Sequence, residues 1–87
     1  MHPRPDWWAW PLEFTAYTRR RMEQRGVTEI DVRAMLEIAA RIGRNHEPGR
    51  WAAHTTHDGA PWRVILEPQL DEHVTVVVTV YPVRVVS

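Results

Sequence analysis

Asp58-Gly59 divides two runs that both read as strands: Arg50-Trp51-Ala52-Ala53-His54-Thr55-Thr56-His57 before it and Ala60-Pro61-Trp62-Arg63-Val64-Ile65-Leu66-Glu67 after it. Asp-Gly in that position is among the strongest short-range signals for a two-residue hairpin turn. A turn of that length sets the register: His57 pairs with Ala60, and the pairs step outward from there. One face then matches Trp51 with Leu66, Ala53 with Val64 and Thr55 with Trp62. The other matches Arg50 with Glu67, Ala52 with Ile65 and His54 with Arg63. The first set predicts core. The second places opposite charges across the strands, where they stabilise one another. Pro61 then needs a place where the ladder asks for no N–H donor.

The other elements are read around this hairpin. Tyr17 to Thr28 reads as a short basic helix, a glycine stop and the cap of a second helix. Gly26 supplies the left-handed residue that ends a helix, and Thr28 with Asp31 three residues on resembles a capping box. The first helix is expected from about Phe14 to Arg25, with Tyr17, Arg21 and Arg25 on one face and Phe14, Thr18 and Met22 on the next. The second is expected from Thr28 to about Ala40, its Val32, Met35, Leu36 and Ala39 recurring at helical spacing. Gly43 ends any continuation, a short extended piece is expected near Arg44–His46, and Pro48-Gly49 marks a turn. A last strand is expected from His73 to Tyr81, ended by Pro82. Its Val74, Val76, Val78 and Val80 would lie beneath the helices, with Thr75, Thr79 and Tyr81 joining His54 and Arg63 on the opposite face.

These elements predict an α+β protein, two N-terminal helices packed on one face of a three- or four-stranded antiparallel sheet. Residues 1–11 form a Trp- and Pro-rich arm and residues 12–87 a single domain. The arm holds Trp7, Trp8 and Trp10 among Pro3, Pro5 and Pro11. Three tryptophans in four residues leave water either by covering an open edge of the core or by docking on a partner.

Charge and cysteine usage narrow the function classes. All eleven basic residues are Arg, the formal net charge is zero, and Cys is absent. A neutral chain is not a generic nucleic-acid binder, yet residues 15–50 hold eight Arg against five acids, enough for a local basic patch. The absence of Cys removes disulfides and thiolate metal sites and fits a reducing cytoplasm. The apolar run Val74–Val80 is too short to span a bilayer, so no membrane association is expected. His54 and His57 point to opposite faces of a strand, and His2, His46 and His73 are scattered, so neither a metal site nor a cofactor is predicted. The only Ser is Ser87, which gives nucleophilic catalysis little support.

Metal-free cleavage of RNA is the chemistry these side chains suit. It needs a base for the 2′-hydroxyl, an acid for the leaving oxygen, and cations for the charge on phosphorus. His54 has the right intrinsic pKa range for proton transfer. Arg21, Arg25 and Arg63 can carry phosphate charge, because guanidinium forks bind phosphate bidentately. Tyr17, Tyr81 and Thr79 can position oxygens.

Arg21-Met22-Glu23-Gln24-Arg25-Gly26-Val27-Thr28, then Val32, and finally Val77-Val78-Thr79-Val80-Tyr81-Pro82 together resemble the family called domain of unknown function 4258, over roughly residues 13–82. That family in turn looks similar to the barnase–RelE-like group of small, metal-independent ribonuclease toxins. The resemblance implies a toxin-like RNase fold, RNA as substrate, and a cognate antitoxin or immunity protein as partner. It also implies that Arg21 and Thr79 are site residues, with Arg25 as a third. At the position of the family's helical His this chain has Tyr17, and Thr18 stands where Ala is usual. A phenol is a weaker base at neutral pH than an imidazole, so proton transfer falls to Tyr17 assisted by neighbouring Arg, or to His54. The combined expectation is catalysis by Tyr17, Arg21, His54 and Thr79 and substrate binding by Arg25, Arg63 and Tyr81. The alternative is a non-catalytic interaction module of the same fold, in which the Trp arm engages a protein partner or a second copy as a homodimer.

Overall fold

The hairpin register is the one the Asp-Gly turn predicts. In the computed structural model, which describes residues 4–84, Trp51–His57 pairs antiparallel with Ala60–Gln69, His57 opposite Ala60 and Trp51 opposite Leu66. Asp58 and Gly59 both have positive φ, 51° and 77°, as the mirror-image turn that matches strand twist requires. Arg50 reaches across to Glu67 at 3.1 Å.

The chain runs through a 3-10 turn (Asp6–Ala9), β1 (Leu12–Phe14), α1 (Ala16–Gln24), α2 (Glu29–Glu37), β2 (Arg41–Arg44), β3 (Trp51–His57), β4 (Ala60–Gln69) and β5 (Val74–Pro82). The sheet has five strands in the order β1-β5-β4-β3-β2. It is mixed: β1 runs parallel to β5, and the remaining pairs are antiparallel. This corrects the expected sheet of three or four antiparallel strands. Phe14, expected to start the first helix, belongs instead to β1. Thr15 is the N-cap, its hydroxyl accepting from the Thr18 N–H. The second helix stops at Glu37 rather than Ala40. Gly43, expected as a stop, lies inside β2, which pairs with β3 from Arg41 opposite His54 to Arg44 opposite Trp51.

Both helix boundaries around Gly26 follow from backbone hydrogen bonding. Gly26 at φ 70° lets Val27 N–H reach the Met22 carbonyl at 2.9 Å and Gly26 N–H reach Glu23 at 3.2 Å, the double bond that closes a helix end. Thr28 and Asp31 then satisfy each other's backbone N–H groups. Those hydrogen bonds from Thr28 hold the Asp31 carboxyl below its usual range.

One face of the sheet meets the helices. Ala53, Val64, Leu66, Val77 and Val80 pack against Met22 from α1, and Val32, Met35 and Leu36 from α2. The tryptophan arm joins this core: Trp7 is buried, and Trp8 and Trp10 pack against it. The Trp7 carbonyl accepts from the buried Thr75 hydroxyl at 3.0 Å, and the Arg4 guanidinium donates to the Ala39 carbonyl at 2.7 Å.

β5 departs from simple alternation. The pairing shifts between Ile65 and Leu66, so that Ile65 faces Thr79 while Leu66 faces Val77. Val78 is the extra residue of a bulge, and the phase of the strand flips there. Thr75 and Val77 face the helices before it and Val80 after it, whereas the expected all-Val face was Val74, Val76, Val78 and Val80. Thr75 is buried rather than on the open face.

Because β1 pairs only with Thr75–Val77, the rest of the β5 edge needs other partners. α1 supplies them. The fully buried Thr18 hydroxyl donates toward the carbonyls of Val77 and Val78, at 2.9 and 2.8 Å, and Arg25 donates to the Val80 carbonyl at 2.7 Å. Thr18→Val keeps the volume and removes the hydroxyl, leaving buried carbonyls unpaired. It is expected to cost about 2 kcal/mol, read as a lower urea midpoint.

Candidate functional site

The second face of the sheet carries no helix. Register alone places a row of four side chains across it: Arg41 on β2 opposite His54 on β3, His54 opposite Arg63 on β4, and Arg63 opposite Tyr81 on β5. Directly opposed residues on neighbouring strands lie on the same face, with strands about 4.8 Å apart. His54 is therefore flanked by two guanidinium groups, and Arg63 by an imidazole and a phenol. The adjacent row, Ala52–Ile65–Thr79, forms an apolar floor ending in a hydroxyl; Ala52 and Ile65 are buried beneath the longer side chains beside them.

Two features of this row bear on chemistry. Burial, Arg41 and Arg63, in that order, lower the His54 pKa from its ordinary 6.5, since each disfavours the imidazolium. The shift favours the neutral imidazole, the form that can accept a proton. Arg63 Nε is the one buried side-chain polar atom without a hydrogen-bond partner among the described residues. A buried donor without an acceptor is costly.

A hollow of about 560 Å³ adjoins these rows on the α1 side. Thr79, Val76 and Val78 line it from β5, Thr15 and Tyr17 from α1 and its cap, and the Arg50–Glu67 pair from the residue before β3 and from β4. Tyr17 is 63% exposed. Arg50 is held in place by Glu67 and by Glu47 at 2.6 Å.

The expected site residues therefore fall into three groups. His54, Arg63 and Tyr81 share one row. Tyr17 and Thr79 share the neighbouring hollow. Arg21 and Arg25 lie on the α1 stripe along β5, where Arg21 donates to Gln24 at 3.2 Å and Arg25 closes the strand edge. Arg41 and Arg50 were not among the expected site residues. Arg41 follows from the R-I-G-R pattern once Gly43 is read inside a strand. Arg50 was placed correctly opposite Glu67, and only its position in the hollow is new. Among the described residues no group of three or more His, Cys, Asp or Glu side chains is placed to hold a metal ion, and no helix is long and apolar enough to cross a membrane.

Fold and geometry define a small α+β domain with helices on one face of a mixed five-stranded sheet and the Arg41–His54–Arg63–Tyr81 row on the other. The pattern of the family described as "Domain of unknown function (DUF4258)" matches residues 14–82, and the chain belongs to that family. No curated protein and no solved structure matches it. The match spans β1 to β5, and the motif residues have physical reasons to be where they are: Met22 fills the core, Gly26 makes the left-handed turn, and Thr79 and Tyr81 reach the open face.

Proposed function

We propose that this protein is a toxin-like, metal-independent ribonuclease, similar in kind to the barnase–RelE-like small ribonucleases, which cleaves single-stranded RNA on its open sheet face. The observation that carries the reading is the Arg41–His54–Arg63–Tyr81 row. A phosphodiester over Arg63 is met by its guanidinium and sits within reach of Arg41, two residues away across the row. His54 and Tyr81 flank Arg63 on opposite sides, about 10 Å apart across two strand spacings. That places a proton acceptor and a proton donor on either side of the phosphorus, as in-line attack requires.

His54 takes the proton of the 2′-hydroxyl, and the 2′ oxygen forms a bond to phosphorus. The bond from phosphorus to the 5′ oxygen breaks, and that oxygen takes the Tyr81 phenol proton. Arg41 and Arg63 hold the extra negative charge that develops on the phosphoryl oxygens. The products are a 2′,3′-cyclic phosphate and a 5′-hydroxyl, and the proton returns from His54 to Tyr81 through solvent. Thr79 orients the ribose from the next row, and the Arg21 stripe contacts the backbone beyond it. A cytoplasmic site of action and a cognate antitoxin or immunity protein complete the reading.

The test is cleavage of end-labelled single-stranded RNA in the presence of EDTA, with the all-DNA strand as control. Wild type is expected to give cyclic-phosphate ends from RNA and to leave DNA intact. Arg63→Ala is expected to lower the rate by about 10²–10³-fold. Intact RNA at high enzyme concentration, cleavage of DNA, or an unchanged rate in Arg63→Ala would overturn the proposal.

A further inference from the structure

The hollow beside the row has a different character from the row. Its floor is aliphatic, from Val76 and Val78, and one wall is the ring of Tyr17. Its rim is polar: the Thr79 and Thr15 hydroxyls, and the Arg50–Glu67 pair, which offers N–H donors and carboxylate acceptors in a fixed geometry. A flat, apolar ligand with hydrogen-bonding edges fits such a place, whereas a bare phosphate would meet valine and a carboxylate. At about 560 Å³ the space is of ligand-site size.

Its position is also informative. Thr79 lies two residues along β5 from Tyr81, about 7 Å at strand rise, on the same face. That is the reach from a phosphate held over Arg63 to the base of an adjoining nucleotide. Among the described residues, Tyr17, at 63% exposure, is one of four large exposed hydrophobic side chains and lines this hollow; Ile30, Ile38 and Leu70 do not. Exposed aromatic faces beside a cationic track are how single strands are held without sequence-specific pairing.

Building on the ribonuclease reading, we infer that the Tyr17–Thr79 hollow is a subsite for one unstacked nucleobase, with Tyr17 as its stacking wall. Tyr17 thus contributes its ring, and its hydroxyl is dispensable. The subsite sets which nucleotide neighbours the bond that is cut, because the Arg50–Glu67 rim presents donors and acceptors to the edge of the base.

The test uses 2′-O-methyl tetranucleotides, which cannot be cleaved by 2′-oxygen attack, with and without a base at each successive position, and reads affinity by fluorescence anisotropy. Removing the base at one position is expected to weaken binding to wild type about tenfold, within the range for stacking of one base. Tyr17→Ala is expected to bind the complete and abasic strands equally, and Tyr17→Phe, which keeps the ring, to show the wild-type base dependence of binding. Tyr17 is exposed, so both variants are expected to retain the wild-type far-ultraviolet circular dichroism spectrum, and that spectrum is the fold control. A base dependence that survives in Tyr17→Ala, or is absent from wild type, overturns the subsite. So does loss of the base dependence in Tyr17→Phe, since the ring that makes the stacking wall is still there. Base discrimination without RNA cleavage overturns the nuclease reading and leaves the subsite standing. Cleavage without base discrimination overturns the subsite alone. A protein that binds neither strand and cuts no RNA overturns both.

Discussion

His54→Ala is expected to lower the rate of RNA cleavage by about 10²–10⁴-fold, the usual contribution of a positioned general base, with little change in binding of an uncleavable strand. On the proposed reading, binding rests on the guanidinium groups of Arg41 and Arg63, which this substitution leaves in place. A pH profile adds a second readout. Burial, Arg41 and Arg63 hold the folded-state pKa of His54 below 6.5, so the acid limb of the rate profile is expected below pH 6.5. In Arg63→Ala, one of the opposing charges is gone and the limb is expected to move up. The same shift enters stability. An unfolded chain takes up the His54 proton near pH 6.5 and the folded chain only at lower pH. The contribution of this group to stability is therefore fully present above 6.5 and lost as pH falls from there through the folded pKa. Urea midpoints measured across that window are expected to fall less steeply for His54→Ala than for wild type. Equal slopes would mean the imidazole is not held as the row implies.

Trp7→Ala is expected to cost about 3–5 kcal/mol, as for other large buried aromatics truncated to alanine. Trp7 is 8% exposed, and its ring lies 5.6 Å from Trp51 and 5.8 Å from Trp8. For a domain this small, with total stability of order 5–15 kcal/mol, that loss is a large share of the whole. Trp8→Ala is expected to cost less, since Trp8 is half-buried and covers the core from outside under the Arg4 guanidinium, 5.0 Å from its ring. Urea denaturation of the two variants side by side tests the ordering. A smaller loss in Trp7→Ala than in Trp8→Ala would mean that the arm does not seat Trp7 in the core.

How far the fold could be read in advance depended on how local its signals were. The β3–β4 hairpin was legible pair by pair, because Asp58-Gly59 permits one register and every cross-strand pair follows from it. The cap at Thr28 and the stop at Gly26 were equally local. What escaped reading was set by distant partners. β1 has three residues, Leu12–Phe14, and no pattern of its own; it is a strand because β5 lies beside it. Gly43 looked like a helix stop because nothing nearby shows that β3 has an open edge to pair with. The bulge at Val78 inverts the faces of half of β5, and alternating valines carry no mark of it, since Val suits either side. Thr75 was misplaced for that reason.

The candidate site divides along the same line. His54 and Arg63 were found together because the hairpin pairs them. Thr79 and Tyr81 were assigned to the open face by continuous alternation from Val74. They do face it, but only because the bulge resets the phase after Val78. Arg41 joined the row only once β2 was known to run alongside β3. Tyr17 was singled out as a proton-transfer group from its place in a motif. Its neighbours in three dimensions, Val76, Val78, Thr79 and the Arg50–Glu67 pair, come from distant parts of the chain that its helical motif does not mark.

The strand order has a consequence for how the protein comes into being. β5, made last, lies between β1 and β4, and the Trp7 carbonyl waits for a hydroxyl 68 positions further on. On the ribosome, the tryptophan arm and α1 have no surface to settle on until Thr75 and the valines after it emerge. Contacts between such distant parts of a chain form slowly, so the sheet closes only after β5 has emerged. Thr79 and Tyr81 arrive in that same strand, so the open-face row is completed only once β5 pairs with β4.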